Sequence, residues 1–260
     1  MKKQRFYYLI NLQYLGFRFS GWQKQPQQKT IEGMLSKTLK FILPKINFKI
    51  LGAGRTDAKV SALDAAFELF LEEEQILDLD GFLELFNRNL PADIRAVGIE
   101  PVDETFNIIK DPKVKEYLYL FSFGVKNHPF SAPFITNIMD ELDIDAMKEA
   151  AELFVGTHNF SAYTVKSQSN ASEPRTINSC SIIENTILKA NFFPEKSYAL
   201  RVMGKGFMRY QIRMIMGALI KVGKKELTLY DIRASFSTIT KQELTSVAPG
   251  SGLILNRIDF

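Results

Sequence analysis

The feature that most constrains this chain is an interleaving of strand-like and helix-like hydrophobic periods that recurs in two loosely similar halves. Residues 6–14 alternate, placing Tyr8, Ile10, Leu12 and Tyr14 on one face, and read as a strand. Thr30 then stands as an N-cap before Ile31, Met34, Leu35, Leu39 and Ile42 at helical spacing, a run that ends near Pro44. Phe48-Lys49-Ile50-Leu51 is β-like and leads into Gly52-Ala53-Gly54-Arg55-Thr56-Asp57. Ala65 to Leu71 reads as a strand and 81–88 as a short helix. The order then recurs. Tyr117 to Phe121 is a strand, and a helix from about Asp145 to Phe154 is closed by Gly156. A polar, serine-rich loop covers 163–175 and a strand covers 197–203. A long apolar helix follows from about Phe207 to Val222, with Gly223 as its C-cap. Thr228 caps one more helix, and Gly252-Leu253-Ile254-Leu255 opens a terminal strand. The pattern predicts an α+β protein of two sub-domains, 1–105 and 106–260, with the seam near 103–112.

At 260 residues, 46% of them hydrophobic and 24% charged, the chain is long and apolar enough for two small domains, each with its own core. The formal net charge of +4 permits a polyanionic partner without demanding one. Cys180 is the single cysteine, which excludes an intramolecular disulfide. With only His128 and His158 beside it, no spacing resembles a zinc site, so no metal is expected. Residues 1–15 superficially mimic a secretory signal, but Asn11 and Gln13 interrupt the apolar run and no small-residue cleavage site follows. No stretch approaches the roughly 20 apolar residues needed to span a bilayer. A cytoplasmic location is expected, and the sequon Asn170-Ala171-Ser172 reads as a plain loop.

Three segments carry potential chemistry. In Gly54-Arg55-Thr56-Asp57-Ala58-Lys59-Val60-Ser61-Ala62, an aspartate two positions after an arginine in extended chain points to the same side. The cation would favour the ionised carboxylate, and the flanking small residues would admit a large planar substrate. A structural Arg–Asp pair closing a turn accounts for the same spacing. In Gly204-Lys205-Gly206-Phe207-Met208-Arg209-Tyr210-Gln211-Ile212-Arg213, the cations Lys205, Arg209 and Arg213 step by four. They are expected on one helical face near the helix N-terminus, which suits phosphates; a solvated cationic face is the plainer alternative. Arg213 is embedded among apolar residues there and needs an anionic partner. Finally, Lys113, Lys115, Tyr117 and Tyr119 alternate on one strand face, a pattern that fits RNA backbone contact with base stacking and equally fits half-buried packing.

Taken in order, these segments resemble the TruA-type tRNA pseudouridine synthases. The family's GRTD core stands as Gly54-Arg55-Thr56-Asp57, its K-x-Y-x-Y strand as Lys115-Glu116-Tyr117-Leu118-Tyr119, and its Phe-x-x-x-x-x-Arg helix as Phe207 through Arg213 with Gly217. Supporting matches are Gly21-Trp22-Gln23, Asn89-Leu90-Pro91, Gly156-Thr157-His158-Asn159-Phe160, Arg175-Thr176-Ile177 and Gly252-Leu253, so the similarity spans nearly the whole chain. The resemblance implies the pseudouridine synthase fold, with two sub-domains, each a mainly antiparallel sheet flanked by helices, and an active-site cleft between them. It implies conversion of uridine to pseudouridine in RNA without a cofactor, with tRNA positions 38–40 as the usual target, and a homodimer. By the same resemblance Asp57 is the catalytic residue and Arg55 helps displace the target base. Tyr117 stacks on that base, Arg213 pairs with the aspartate and Leu253 packs against the base; Lys205 and Arg209 are expected, from their spacing and not from the resemblance, to hold phosphates.

Three positions depart from the family pattern. Lys59 and Ser61 stand where glycine and histidine are common, and Tyr14-Leu15-Gly16 replaces Tyr-Asp-Gly. Lysine tolerates poorly the positive φ that a glycine allows. Competing readings are a non-catalytic RNA-binding or RNA-folding protein of the same fold, a divergent paralogue acting at another RNA site, and a metal-free hydrolase using Asp57 as base. The hydrolase lacks a second acid or a histidine near any motif.

Overall fold

A computed structural model describes residues 4–165, 174–237 and 246–260. The sequon Asn170-Ala171-Ser172 lies outside the described residues, as does most of the serine-rich segment around it. The chain divides into two compact units, residues 1–113 with 255–260, and residues 114–254. The architecture is mixed α+β, with mainly antiparallel strand pairing and flanking helices.

The first unit contains β1 (Arg5–Tyr14), α1 (Ile31–Ile42), β2 (Phe48–Gly52), β3 (Ser61–Glu72), α2 (Leu79–Asn89) and β4 (Ile94–Val102). Its strands lie in the order β4-β1-β3-β2, all antiparallel. Directly opposite residues share a face, so Tyr8 with Leu69, Ile10 with Phe67 and Leu12 with Ala65 form one apolar surface. That is the surface the alternation along residues 6–14 predicts, and all six are buried. Helix α2 sets Phe86 against Phe67 with ring centroids 6.4 Å apart, and Phe82 stacks on Phe86 at 5.9 Å. Helix α1 buries Ile31, Leu35 and Leu39. Both helices begin at a side-chain cap: the Thr30 hydroxyl accepts from the Gly33 amide at 3.2 Å, and the Asp78 carboxylate accepts from the Gly81 amide at 2.9 Å. Strand β4 escapes sequence patterning because only Ile94 and Ala96 are buried; its second half is half-buried or exposed.

The second unit contains β5 (Val114–Phe123), β6 (Thr136–Ile138), α3 (Ile144–Glu152), β7 (Gly156–His158), β8 (Arg175–Ile177), β9 (Ser179–Glu184), β10 (Tyr198–Gly204), α4 (Gln211–Gly223) and α5 (Leu229–Ala234). Its strands lie in the order β6-β5-β10-β9, with β6 parallel to β5, while β7 and β8 pair separately. The terminal strand β11 (Leu253–Asp259) begins in this unit and passes at Leu255 into the first. Leu118 through Phe121 of β5 and Ile215, Met216, Ala218 and Leu219 of α4 are fully buried.

Several predicted ends move for physical reasons. Helix α3 starts at Ile144 because Asp143 caps it, and Gly156 opens β7 at φ +111 instead of closing the helix. Gly223 is the last residue of α4, not its cap. A Cβ there would lie 2.7 Å from the Met147 sulfur and 3.2 Å from Leu142 Cβ, so the glycine permits close approach of the α3 region. Thr228 caps α5 as expected, in a reciprocal capping box with Asp231.

Phe86 is fully buried between Phe67 and Phe82. Phe86→Ala is expected to destabilise the protein by about 3–5 kcal/mol. Urea unfolding followed by circular dichroism checks this, with the denaturant slope unchanged.

Candidate active site

Asp57 sits in the connection between β2 and β3. A turn closes just after it, where the Val60 amide donates to the Asp57 carbonyl at 3.2 Å. Lys59, the third residue of that turn, has φ +67, the left-handed conformation that favours glycine. For an L-residue with a Cβ this conformation costs roughly 1–2 kcal/mol. The position takes the positive φ that a glycine allows, and this chain adopts it with lysine. Arg55 and Lys59 are exposed, Asp57 is half-buried, and Thr56 is buried.

The loop owes its shape to residues 14–22. The Trp22 amide donates to the Thr56 carbonyl at 2.9 Å, and the Lys59 amide donates to the Phe19 carbonyl at 3.0 Å. The Tyr14 hydroxyl bonds the Thr56 hydroxyl at 2.9 Å, and the Ser61 hydroxyl accepts from the Gly16 amide at 2.9 Å. The β1–β3 register slips between Leu12 and Tyr14, an irregularity that falls next to this contact. Two glycines make the approach possible. A Cβ on Gly16 would lie 1.8 Å from the Val60 carbonyl oxygen, and one on Gly21, at φ +102, would lie 2.7 Å from the Thr56 carbonyl oxygen. Sequence reasoning noted Tyr14, Gly16, Gly21, Trp22 and Ser61 as parts of motifs and missed what they do, which is to hold the Asp57 loop.

In the second unit, Tyr117 lies on β5 opposite Val202 of β10. Its half-buried ring meets Phe207 edge-on, with centroids 5.4 Å apart and planes at 88°. Burial lowers the proton affinity of the Lys115 ammonium, two residues earlier. Tyr119 follows on the same strand face in a regular register, as the alternation predicts, but lies deeper than Tyr117. It is fully buried, its hydroxyl donating to the Pro249 carbonyl at 2.8 Å and bonding Thr136 Oγ1 at 2.9 Å, and burial pushes that hydroxyl well above the usual phenol range.

Lys205, Arg209 and Arg213 do not line one helical face. Helix α4 starts only at Gln211, because Tyr210 has φ +62 and the chain before it is not helical. Lys205 and Arg209 are therefore exposed residues of an irregular segment, and Arg213 alone is helical. The Arg213 Nε–H donates to the Ala248 carbonyl at 2.6 Å, while the Ala248 amide donates to the Arg213 carbonyl at 3.2 Å. The guanidinium groups of Arg209 and Arg213 each lie 5.0 Å from the Tyr210 ring centroid. Residues 248–253 are thus tied by Arg213 at one point and by Tyr119 at the next. A Cβ on Gly252 would lie 2.7 Å from the Leu120 carbonyl, so the segment passes flush over β5 and delivers Leu253, which is buried.

The residues read as structural fit that reading. His158 stacks on Phe236 at 4.3 Å within an aromatic cluster, His128 accepts from the Phe130 amide, and Cys180 is buried with its thiol pushed up to about 12. Among the described residues no cluster of metal-ligating side chains occurs.

Comparison with known proteins agrees with this assembly of motifs. The sequence model of a family described as tRNA pseudouridine synthase matches residues 150–260. A protein from Dictyoglomus thermophilum named tRNA pseudouridine synthase A is 30% identical over 255 residues, covering 96% of this chain and 98% of that one. One of the same name from Thermodesulfovibrio yellowstonii is 29% identical over 258 residues, covering 96% and 98%. A tRNA pseudouridine synthase A 2 from Bacillus thuringiensis is 31% identical over 254 residues, covering 97% and 99%. The chain belongs to the tRNA pseudouridine synthase family, a family of isomerases.

The loop clamp has a direct test. Gly16→Ala drives a Cβ into backbone that has no rotamer to yield, and is expected to destabilise by about 1–3 kcal/mol or more. Gly98→Ala in β4, where a Cβ meets nothing within 4 Å, serves as the control and should shift stability by less than about 0.5 kcal/mol. Thermal melting of the two variants beside the wild type reads the difference.

Proposed function

We propose that this chain converts uridine to pseudouridine in tRNA, at the 3′ side of the anticodon arm, with Asp57 as the catalytic residue. The observation that carries the reading is the half-buried carboxylate of Asp57 on a loop whose backbone is fixed by residues 14–22, in a chain that is similar end to end to tRNA pseudouridine synthases A. By the resemblance to that family, Asp57, Arg55, Tyr117, Arg213 and Leu253 act on one target nucleotide.

The reaction breaks the N1–C1′ bond, turns the uracil, and forms a C5–C1′ bond; C5 gives up a proton and N1 takes one, so the reaction is balanced with no added group. Asp57 acts on the sugar, either by attacking C1′ or by taking a sugar proton. Arg55 helps displace the base from its stack. Tyr117, braced edge-on by Phe207, supplies the stacking surface that keeps the detached uracil in place. Arg213 carries five N–H donors, one of them, the Nε–H, given to the Ala248 carbonyl, and its role is to pair with Asp57. Leu253 packs against the base, and the exposed Lys205 and Arg209 contact phosphates. The enzyme works in the cytoplasm as a homodimer, with one RNA contacting both subunits. Among the described residues, no helix is long and apolar enough to cross a membrane.

The test is incubation with an unmodified tRNA transcript followed by chemical mapping of pseudouridine. Wild type should modify the anticodon arm, and Asp57→Asn should bind tRNA at least as tightly while forming no product, because the amide can neither attack nor take a proton. Product formation by the Asn variant would remove Asp57 from the mechanism. Tight binding without product by the wild type would favour the RNA-binding reading.

A further inference from the structure

We propose that Lys59 is a positioning residue that grips the RNA sugar–phosphate backbone beside the target nucleotide. The inference rests on the function proposed above and concerns a residue that function does not use. Packing imposes the conformation of Lys59: its amide bonds the Phe19 carbonyl, and a Cβ on Gly16 would touch its carbonyl carbon at 3.0 Å. The turn therefore holds φ +67 whatever side chain stands there, and glycine would adopt it without strain. The lysine side chain does little for the fold. It is exposed, and among the described residues its contact is a cation–π approach of Nζ to Phe17 at 5.6 Å, near the outer limit of such interactions. A strained, charged residue that adds little to packing and lies two positions from the reactive carboxylate points to substrate.

Electrostatics identify the class of contact. Arg18, on the clamp segment, is neutralised by Asp93 at 2.7 Å. Among the described residues Arg55 and Lys59 form no ion pair, so they leave positive charge on either side of Asp57. A nucleotide extruded toward that carboxylate brings a phosphate on both its 5′ and 3′ sides, and a cation raised on the turn after Asp57 meets one of them. The Phe17 ring holds the ammonium near the turn without neutralising it.

Three variants separate charge from backbone: Lys59→Asn, which tolerates left-handed φ without charge; Lys59→Gly, which relieves the strain; and Lys59→Arg, which keeps the cation. Affinity for an unmodified tRNA transcript is measured across a salt series, with KM, kcat and melting temperature alongside. Asn and Gly should each flatten the log–log salt dependence by about one unit and raise KM about threefold to tenfold, with the Arg variant near wild type in both. The loss should fall on KM far more than on kcat, with Gly melting no lower than wild type. A wild-type salt slope and KM in both Asn and Gly overturns the proposal, as does a weakening of binding with unchanged slope. Wild type that binds tRNA but makes no pseudouridine defeats the proposed function alone, and the salt slopes still decide the case of Lys59. Wild type that binds no tRNA overturns both.

Discussion

Two backbone hydrogen bonds, Trp22 to Thr56 and Lys59 to Phe19, fix the loop that carries Asp57. A connection between two strands is by default the mobile part of a domain. Here its carbonyl and amide groups are paired with a second segment, which removes most alternative conformations and satisfies groups that burial would otherwise penalise. The pairing requires backbone to lie against backbone, and that is possible only with glycine at 16 and 21. The tyrosine at the end of β1 completes the arrangement through the Thr56 hydroxyl. The geometry of Asp57 is thus set by residues more than 30 positions earlier in the chain.

The second unit uses a related device. Residues 248–253 are secured by Arg213 through Ala248 and by Tyr119 through Pro249, and Gly252 lets them cross β5 at close range. Both loops have a strained residue nearby. Lys59 stands two positions after Asp57, and Tyr210, at φ +62, stands three before Arg213. Strain of this kind persists only where surrounding contacts over-determine it, and it gathers at sites whose geometry matters. At Tyr210 it also decides where α4 begins, and so separates Arg213, which is helical, from Lys205 and Arg209, which are not.

Much of the fold is legible in the sequence because half-buried elements carry their period openly. Strand β1, with its alternating buried side chains, and α1, with a cap and a proline at its ends, match the pattern closely. Where the reading fails, a local signal is overridden. The apolar run from Phe207 has helical spacing, but Tyr210 in the left-handed region delays the helix to Gln211, and the inferred row of three cations dissolves with it. Tyr119 shares the alternation of Tyr117, but depth of burial varies along a strand in a way that periodicity does not record. The motifs single out Asp57 in the first unit and Tyr117, Arg213 and Leu253 in the second, while the Tyr14–Thr56 and Gly16–Ser61 bonds bridge 42 and 45 positions and leave no local trace. Only the glycines, placed where a side chain would normally stand, hint at them.

Native-state hydrogen exchange at the Trp22 and Lys59 amides tests most directly whether backbone pairing with residues 14–22 holds the Asp57 loop. Both donate to carbonyls across the loop. They should exchange only through opening of much of the first unit, as slowly as the amides of β1 and β3. Exchange at the rate of exposed chain, while the β1 and β3 amides stay protected, would contradict it.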